Sequence, residues 1–258
     1  MNFVDFRNLA LGDKNIFEVE DSNLFYVAEI AEGTQGIRRQ RIEGYSTQEL
    51  PTSLKAVKIY EELNRILAGR VDFNYMINKA TESMQKRLLD DIYSVWVNAT
   101  ATDFGGAVYF PTAGTYSEDA LLELIAHVEA AAGGRTATIL GTKTALRKLA
   151  PSISSIDAGN DMYHNGVYGS FYGSPVQVLP QRHKVNSTTF LLPDDTLTIV
   201  ANGDEKPIKV VYEGDSLIIP GEPLMNGDLT QEWLYAERYG VGIILAGGNA
   251  GVGRYQFT

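Results

Sequence analysis

The residues of this 258-residue chain that could do chemistry are few and scattered. The histidines are His127, His164 and His183. His127 precedes Ala131 at helical spacing where a metal pair would need a second histidine, and none of the three has a ligand at loop spacing. The glycine-rich run from Gly247 to Gly253 lacks the Gly-Lys-Ser/Thr of a phosphate loop. Too few residues follow it to build a helix whose amides could face a phosphate, so it reads as a turn. Gly141-Thr142-Lys143-Thr144 lacks the upstream glycine of such a loop. Gly214-Asp215-Ser216 opens like a nucleophile elbow, but Ile218 stands where the second glycine is required. The paired carboxylates Asp90-Asp91 and Asp194-Asp195 read as a solvated helix face and a turn, with no partner group to complete acid–base catalysis. There is no cysteine, which removes disulfides and thiolate metal sites. The expectation is a chain that is not an enzyme, with no catalytic residue, no cofactor and no metal. A hydrolase built on its α/β portion is the rival reading, and no residue presents itself for that role.

The totals narrow the class further. Hydrophobic residues at 44% and aromatics at 10% describe a folded chain with a large core, as one domain or two intimately joined ones. A net charge of −10 argues against a protein that grips nucleic acid by its phosphates. No basic-then-apolar leader opens the sequence, and its longest apolar runs are too short to span a bilayer. A soluble product made in the cytoplasm, with no membrane partner, is expected.

The elements that would position any site are organised around Val71–Ala99. Phe73, Ile77, Ala80, Met84, Leu88, Ile92 and Val95 recur at the helical period, with Asp72 placed to cap the start. At about 1.5 Å per residue this helix is roughly 40 Å long, against a radius of gyration of about 18 Å for a compact body of this length. It therefore crosses most of the subunit and implies an elongated shape.

Before it, residues 1–23 carry Phe3, Val4, Phe6, Phe17 and Val19 without a steady period, so this arm must lie on something. A strap over its own subunit and an arm over a neighbour stay equally open. Leu24–Ala31 (LFYVAEIA) reads as a strand, Ile37–Leu50 as a polar extended return, and Ser53–Tyr60 as a second strand. Together they form a projecting excursion whose tip holds Arg38, Arg39 and Arg41. Such a cluster is simply solvated, or paired with an acidic neighbour, with nucleic-acid contact a distant third reading given the overall charge. Glu61–Ala68 makes a short helix closed by Gly69.

After the long helix, Thr100–Thr115 reads as strand and turn. Ser117 caps a helix ended by Gly133-Gly134, Thr136–Leu140 is a buried strand, and Thr142 caps a third helix that stops before Pro151. Residues 152–166 form a polar loop. Short strands follow at Pro175–Leu179, Thr188–Leu192, Leu197–Ala201, Ile208–Tyr212 and Leu217–Ile219, and then a long one at Leu229–Ala246. The class is α+β.

The order of these blocks carries a resemblance. An apolar arm, an extended two-stranded loop, KIYEELNRILAG, the long helix VDFNYMINKATESMQKRLLDDIYSVW, then TATILGTKTALRKLA, GVYGSFYGSPVQVLP and the terminal QEWLYAERYGVGIILAG together resemble a major capsid protein of tailed bacteriophages with the Hong Kong 97-type fold. The likeness covers nearly the whole chain and rests on architecture, not on one sharp motif.

The resemblance implies an N-terminal arm at 1–23, an extended loop at 24–60 reaching over a neighbour, and a peripheral domain at 61–116 and 201–258 with spine helix 71–99. It implies an axial domain at 117–200, with the 152–166 loop near the capsomer axis. It further implies self-assembly into hexamers and pentamers of an icosahedral virion shell. That shell would form in the host cytoplasm with scaffold and portal proteins and enclose double-stranded DNA without sequence-specific binding. Phe3, Phe6, Phe17, Arg38, Arg39 and Arg41 are the expected inter-subunit contacts. An encapsulin-type compartment shell is the alternative. One branch of the family cross-links subunits through a lysine of the extended loop. Residues 32–50 contain no lysine, so no such bond is expected. The short arm leaves no room for a long scaffolding segment, which implies a removed segment or a separate scaffold.

Overall fold

A computed structural model describes residues 4–19, 25–32, 36, 38–41, 44–149, 166–201, 206–221, 229–245 and 251–257. In chain order the first elements are β1 (Val4–Leu9), β2 (Ile16–Val19), β3 (Ser46–Glu49), β4 (Ser53–Glu62), α1 (Leu63–Leu67) and α2 (Phe73–Val97). There follow β5 (Thr112–Ala113), α3 (Glu118–Ala131), β6 (Ala137–Gly141), α4 (Lys143–Arg147), β7 (Ser170–Phe171) and β8 (Ser174–Val178). The chain closes with β9 (Thr196–Ala201), β10 (Ile208–Glu213), β11 (Leu217–Pro220), β12 (Thr230–Ile243) and β13 (Val252–Phe257).

Helix α2 forms where its period places it. The Asp72 carboxylate accepts from the Asn74 amide at 3.0 Å, and Ala80, Met84 and Ile92 make its buried stripe. This stripe lies across one face of a sheet ordered β1-β10-β12, with β11 and β4 also paired to β12. Ile92 meets Val4, Ile208 and Val210 there, and Leu88, Trp96 and Val241 pack around them. On the opposite face the β2–β3 hairpin presses Phe17, Val19 and Leu50 onto Val211 and Ile244.

Strands β10 and β11 occupy one edge of β12 in succession. Between the pairs Tyr212↔Tyr239 and Leu217↔Ala236 they carry two extra residues, bulged around Gly214 at φ 73°. Strand β4 takes the other edge of β12 in a ten-residue antiparallel ladder.

A second, six-stranded sheet runs β5-β13-β9-β6-β8-β7. Helices α3 and α4 cover one of its faces, burying Leu121, Leu124, Val128 and Leu146 against Ile139, Leu197, Ile199 and Tyr255. Ser117 and Thr142 cap these helices, accepting from Ala120 and Ala145. The other face takes Ala99 and Phe104, just beyond α2, against Leu140, Val200 and Val252. Trp96 touches the cores of both sheets, so the end of α2 is where they join.

Several expectations need correction. Residues 25–31 are not in a strand but irregular and exposed: among the described residues no layer packs over them. Residues 188–192 do not join a sheet. Lys184 N–H bonds Thr189 O and Leu191 N–H bonds Arg182 O, folding the segment back on itself around Asn186, whose φ is 53°. The glycine-rich run leads into a strand, β13, whose residues 252–257 pair β9 in the six-stranded sheet. Strand β4 runs on to Glu62, which shortens the helix before Gly69. Asp90 and Asp91 are not merely solvated: Asp90 accepts from Val185 N–H at 3.1 Å, and Asp91 from the Tyr239 hydroxyl at 2.9 Å. Phe3, His164 and residues 152–165 lie outside the described residues.

Candidate assembly interface

Residues 4–19 serve their own subunit. Strand β1 joins β10 in parallel from Val4↔Ile208 to Leu9↔Glu213, and Asp5 pairs Lys209 at 3.2 Å. Phe17 is 6% exposed beneath the Arg7 guanidinium, which sits 4.2 Å from its ring centroid. Its ring is therefore packed inside the subunit. Phe6 is different: it stacks on Tyr212 at 6.5 Å yet stays 52% exposed at the sheet's outer edge.

The extended loop grows from the β2–β3 hairpin. Its root is fastened by Asn15, whose side-chain amide donates to Leu50 O at 2.8 Å, and by Glu213. The Glu213 carboxylate accepts from the Thr52 hydroxyl and from Gly12 N–H at 3.1 Å, with Arg238 at 3.9 Å. The Thr52 bond is the main cause, and the Gly12 bond and Arg238 add to it, in holding the Glu213 pKa below its usual 4.5.

Beyond the root the two limbs of the loop stay opposed but their ladder opens. The Gln40 side chain replaces it, accepting from Tyr26 N–H and donating to Tyr26 O, both at 2.7 Å. A two-stranded ribbon with no third layer is marginal in water, and the facing limb is the polar Arg38-Arg39-Gln40-Arg41. Phe25, Tyr26 and Ile30 are consequently more than half exposed and Val27 is 88% exposed. Arg38, Arg39 and Arg41 are exposed on the opposite limb.

Sequence reasoning missed a second apolar surface. On the β4–β12–β11 part of the sheet, the face away from α2 carries Leu54, Tyr60, Leu217 and Ile219, all at least half exposed. The signal was present: Leu54, Ala56 and Tyr60 occupy the alternate positions of SLKAVKIY that a one-sided strand would fill with polar residues.

The residues weighed for chemistry are not gathered. His127 lies 3.9 Å from Glu123 on α3, and His183 stacks on Phe190 at 5.4 Å. Asp194 accepts from the Thr142 hydroxyl at 2.6 Å and so braces the start of α4. Among the described residues no three His, Asp or Glu side chains are grouped to hold a metal, and no helix is long and apolar enough to cross a membrane.

Residues 2–244 match a family described as "SPbeta prophage-derived putative capsid protein YonB". The chain belongs to the YonB capsid protein family. No curated protein sequence matches it. Its fold is found in solved phage shells. The mature capsid of bacteriophage PhiM1 aligns at a TM-score of 0.63 with 11% identity, over 100% of this chain and 86% of that one. The capsid of a native GTA particle gives 0.62 at 10% identity over 99% and 87%. Mycobacterium phage Cain gives 0.59 at 17% identity over 98% and 88%. This chain therefore has the Hong Kong 97-type α+β fold of phage capsids, and it is a structural protein of phage type. These matches favour a phage shell over a cargo compartment.

Proposed function

We propose that this YonB-family chain is the major subunit of a tailed-phage or prophage head, assembling as hexamers and pentamers of an icosahedral shell around double-stranded DNA. The observation that carries the reading is the extended loop. It holds Phe25, Tyr26, Val27 and Ile30 out in solvent on an opened ribbon rooted by buried contacts. A chain does not keep so apolar a limb uncovered unless other copies cover it. The arginines Arg38, Arg39 and Arg41 at its end meet acidic surfaces on neighbours, of which a subunit of net charge −10 has many. Phe6 and Phe3 add to the contact, and Phe17 does not. The same acidity suits a lining that repels packaged DNA and lets it leave.

In this reading residues 1–23 are the arm, 24–60 the extended loop, 61–116 and 201–258 the peripheral domain, and 117–200 the axial domain, with β5 and β13 reaching across to pair in the six-stranded sheet. Scaffold and portal proteins are the expected partners, and the virion is the destination. Many weak contacts per subunit add up once the shell closes. Size-exclusion light scattering and electron microscopy of the expressed chain test this. Megadalton shells with hexameric and pentameric units support it, and a monodisperse small oligomer overturns it.

A further inference from the structure

The acidic excess of this chain is unevenly spread. Residues 136–149 and 166–193 hold Lys143, Arg147, Lys148, Arg182 and Lys184 and neither aspartate nor glutamate, in a chain of net charge −10. Asp157 and Asp161, between the two stretches, lie outside the described residues. All five cations are exposed, and among the described residues no carboxylate pairs with them. Elsewhere Lys58, Arg65, Arg87, Lys209 and Arg238 each lie beside a carboxylate of their own subunit.

The fold joins the five into one band. Lys143 and Arg147 stand one turn apart on α4, and Thr142, which caps that helix, donates its hydroxyl to Asp194 at 2.6 Å. The Gln181 amide approaches the same Asp194 oxygen at 3.4 Å, donates to Leu192 O at 2.8 Å and accepts from Leu192 N–H at 3.0 Å. This clamp closes the base of the fold-back at 182–191, and alternation along its first limb puts Arg182 and Lys184 on one side. The fold-back is tied to α2 as well, where Asp90 accepts from Val185 N–H at 3.1 Å. The exposed Lys86 stands one turn before Asp90 and extends the band onto α2. Asp90 and Asp194, the carboxylates that brace the band, thus accept from neutral groups and leave its cations uncompensated.

A braced row of cations with no acid between them fits a partner whose negative charge is equally continuous. Carboxylates on another copy do not supply that, since several already have a base beside them. A duplex strand does, with one phosphate per ~3.4 Å of axis and alternate phosphates about 6.8 Å apart. One helical turn from Lys143 to Arg147 is about 6 Å, and the two-residue step from Arg182 to Lys184 is about 6.6 Å. We propose that this band is the face by which the subunit touches the phosphate backbone of packaged duplex DNA, without reading its bases. The proposal rests on the shell reading and deepens it by naming the surface that meets the contents. The acidic remainder of the chain repels the same backbone, so the contact is local and salt-labile, and DNA is held at the wall only loosely.

Fluorescence anisotropy of a labelled duplex of about 20 bp and arbitrary sequence, titrated with the purified chain from about 50 to 200 mM salt, tests it. Affinity should fall with salt at a log–log slope of about −0.9 per phosphate neutralised. Lys143→Gln/Arg147→Gln and Arg182→Gln/Lys184→Gln should each make that slope shallower by about 1.8. The charge-matched Arg38→Gln/Arg39→Gln should leave it unchanged. Both band variants should melt and form shells like the wild type, because the altered side chains are exposed and make no subunit contact. Three results overturn the proposal and leave the shell reading standing: a wild-type chain that forms particles but ignores the duplex, an equal loss of slope in Arg38→Gln/Arg39→Gln, or polyglutamate displacing the label as well as unlabelled duplex does. Band variants that fold normally but form no shells overturn it too, by assigning the band to a neighbouring copy. A chain that binds DNA through the band yet forms only small species overturns the shell reading alone.

Discussion

Arg254 offers the sharpest test of how the two sheets are held together. It is 5% exposed on β13, and its Nη1 donates to Val97 O at 2.6 Å and to Trp96 O at 3.2 Å in the last turn of α2, the Trp96 carbonyl also accepting from Ala99 N–H. Phe110 lies 5.4 Å from the guanidinium. Burial lowers its pKa below the ordinary guanidinium range, with Asp195 working in the opposite direction; an arginine side chain is charged in proteins. Two bonds from a charged donor are worth about 1.5–3 kcal/mol each. Arg254→Met keeps most of the stem and sheds the cost of burying the charge, which leaves a net loss of about 2–4 kcal/mol. For a chain of this size that lowers Tm by about 5–15 °C. The adjoining cavity of about 20 Å³ has room for one water to reach the bared carbonyls, which sets the lower end of the range. Far-UV circular dichroism melts of unassembled subunits read the effect, and Arg254→Lys, which restores one cation, should fall between. A melt of Arg254→Met within 2 °C of wild type, below the ~4 °C or more that the smallest loss predicts, would show that the end of α2 does not depend on this bond set.

Other perturbations follow from the same geometry. A Cβ at Gly253 would stand 2.7 Å from Val128 Cγ2 and 2.9 Å from Leu124 Cδ1, so Gly253→Ala must displace these packed side chains of α3 at a cost of about 1–3 kcal/mol, read as a lower urea midpoint. Glu213 titrates below its ordinary 4.5 in the fold, so its contribution is complete above that pH and is lost as the pH falls through the lower folded value. The stability gap between wild type and Glu213→Gln should accordingly close in acid, and urea midpoints that keep a constant gap down the pH series would contradict the Thr52–Gly12 anchor. With no lysine in residues 32–50, boiled wild-type particles should run as one 28.3 kDa band, and a ladder of linked chains would reveal a cross-link from elsewhere.

Much of this architecture is legible wherever one residue settles a local choice. Asp72, Ser117 and Thr142 each announce a helix, and each side chain accepts the amide expected of a cap. The long helix reads clearly because one face is buried and the other is not. The misreadings occur where that contrast fails. In β13, Val252, Arg254 and Tyr255 are all buried, so both faces are covered and no alternation survives; the glycines there allow close packing instead of marking a turn. In Phe25–Ile30 the alternation is real, but a strand needs a ladder partner and no described strand pairs with it. Phe17 and Phe6 look alike in sequence. Only the tertiary fold assigns one to the inside and leaves the other at the rim.

The placement of β13 bears on when a subunit becomes fit to join a shell. This strand sits between β5 and β9 and buries Val252, Tyr255 and Phe257, yet it leaves the ribosome after every one of its neighbours. Until then α3 has no floor under Leu124 and Val128, and the cation that closes the end of α2 has not arrived. A nascent or prematurely terminated chain thus lacks a finished six-stranded sheet, and translation itself keeps incomplete polypeptides out of any assembly that needs the whole subunit.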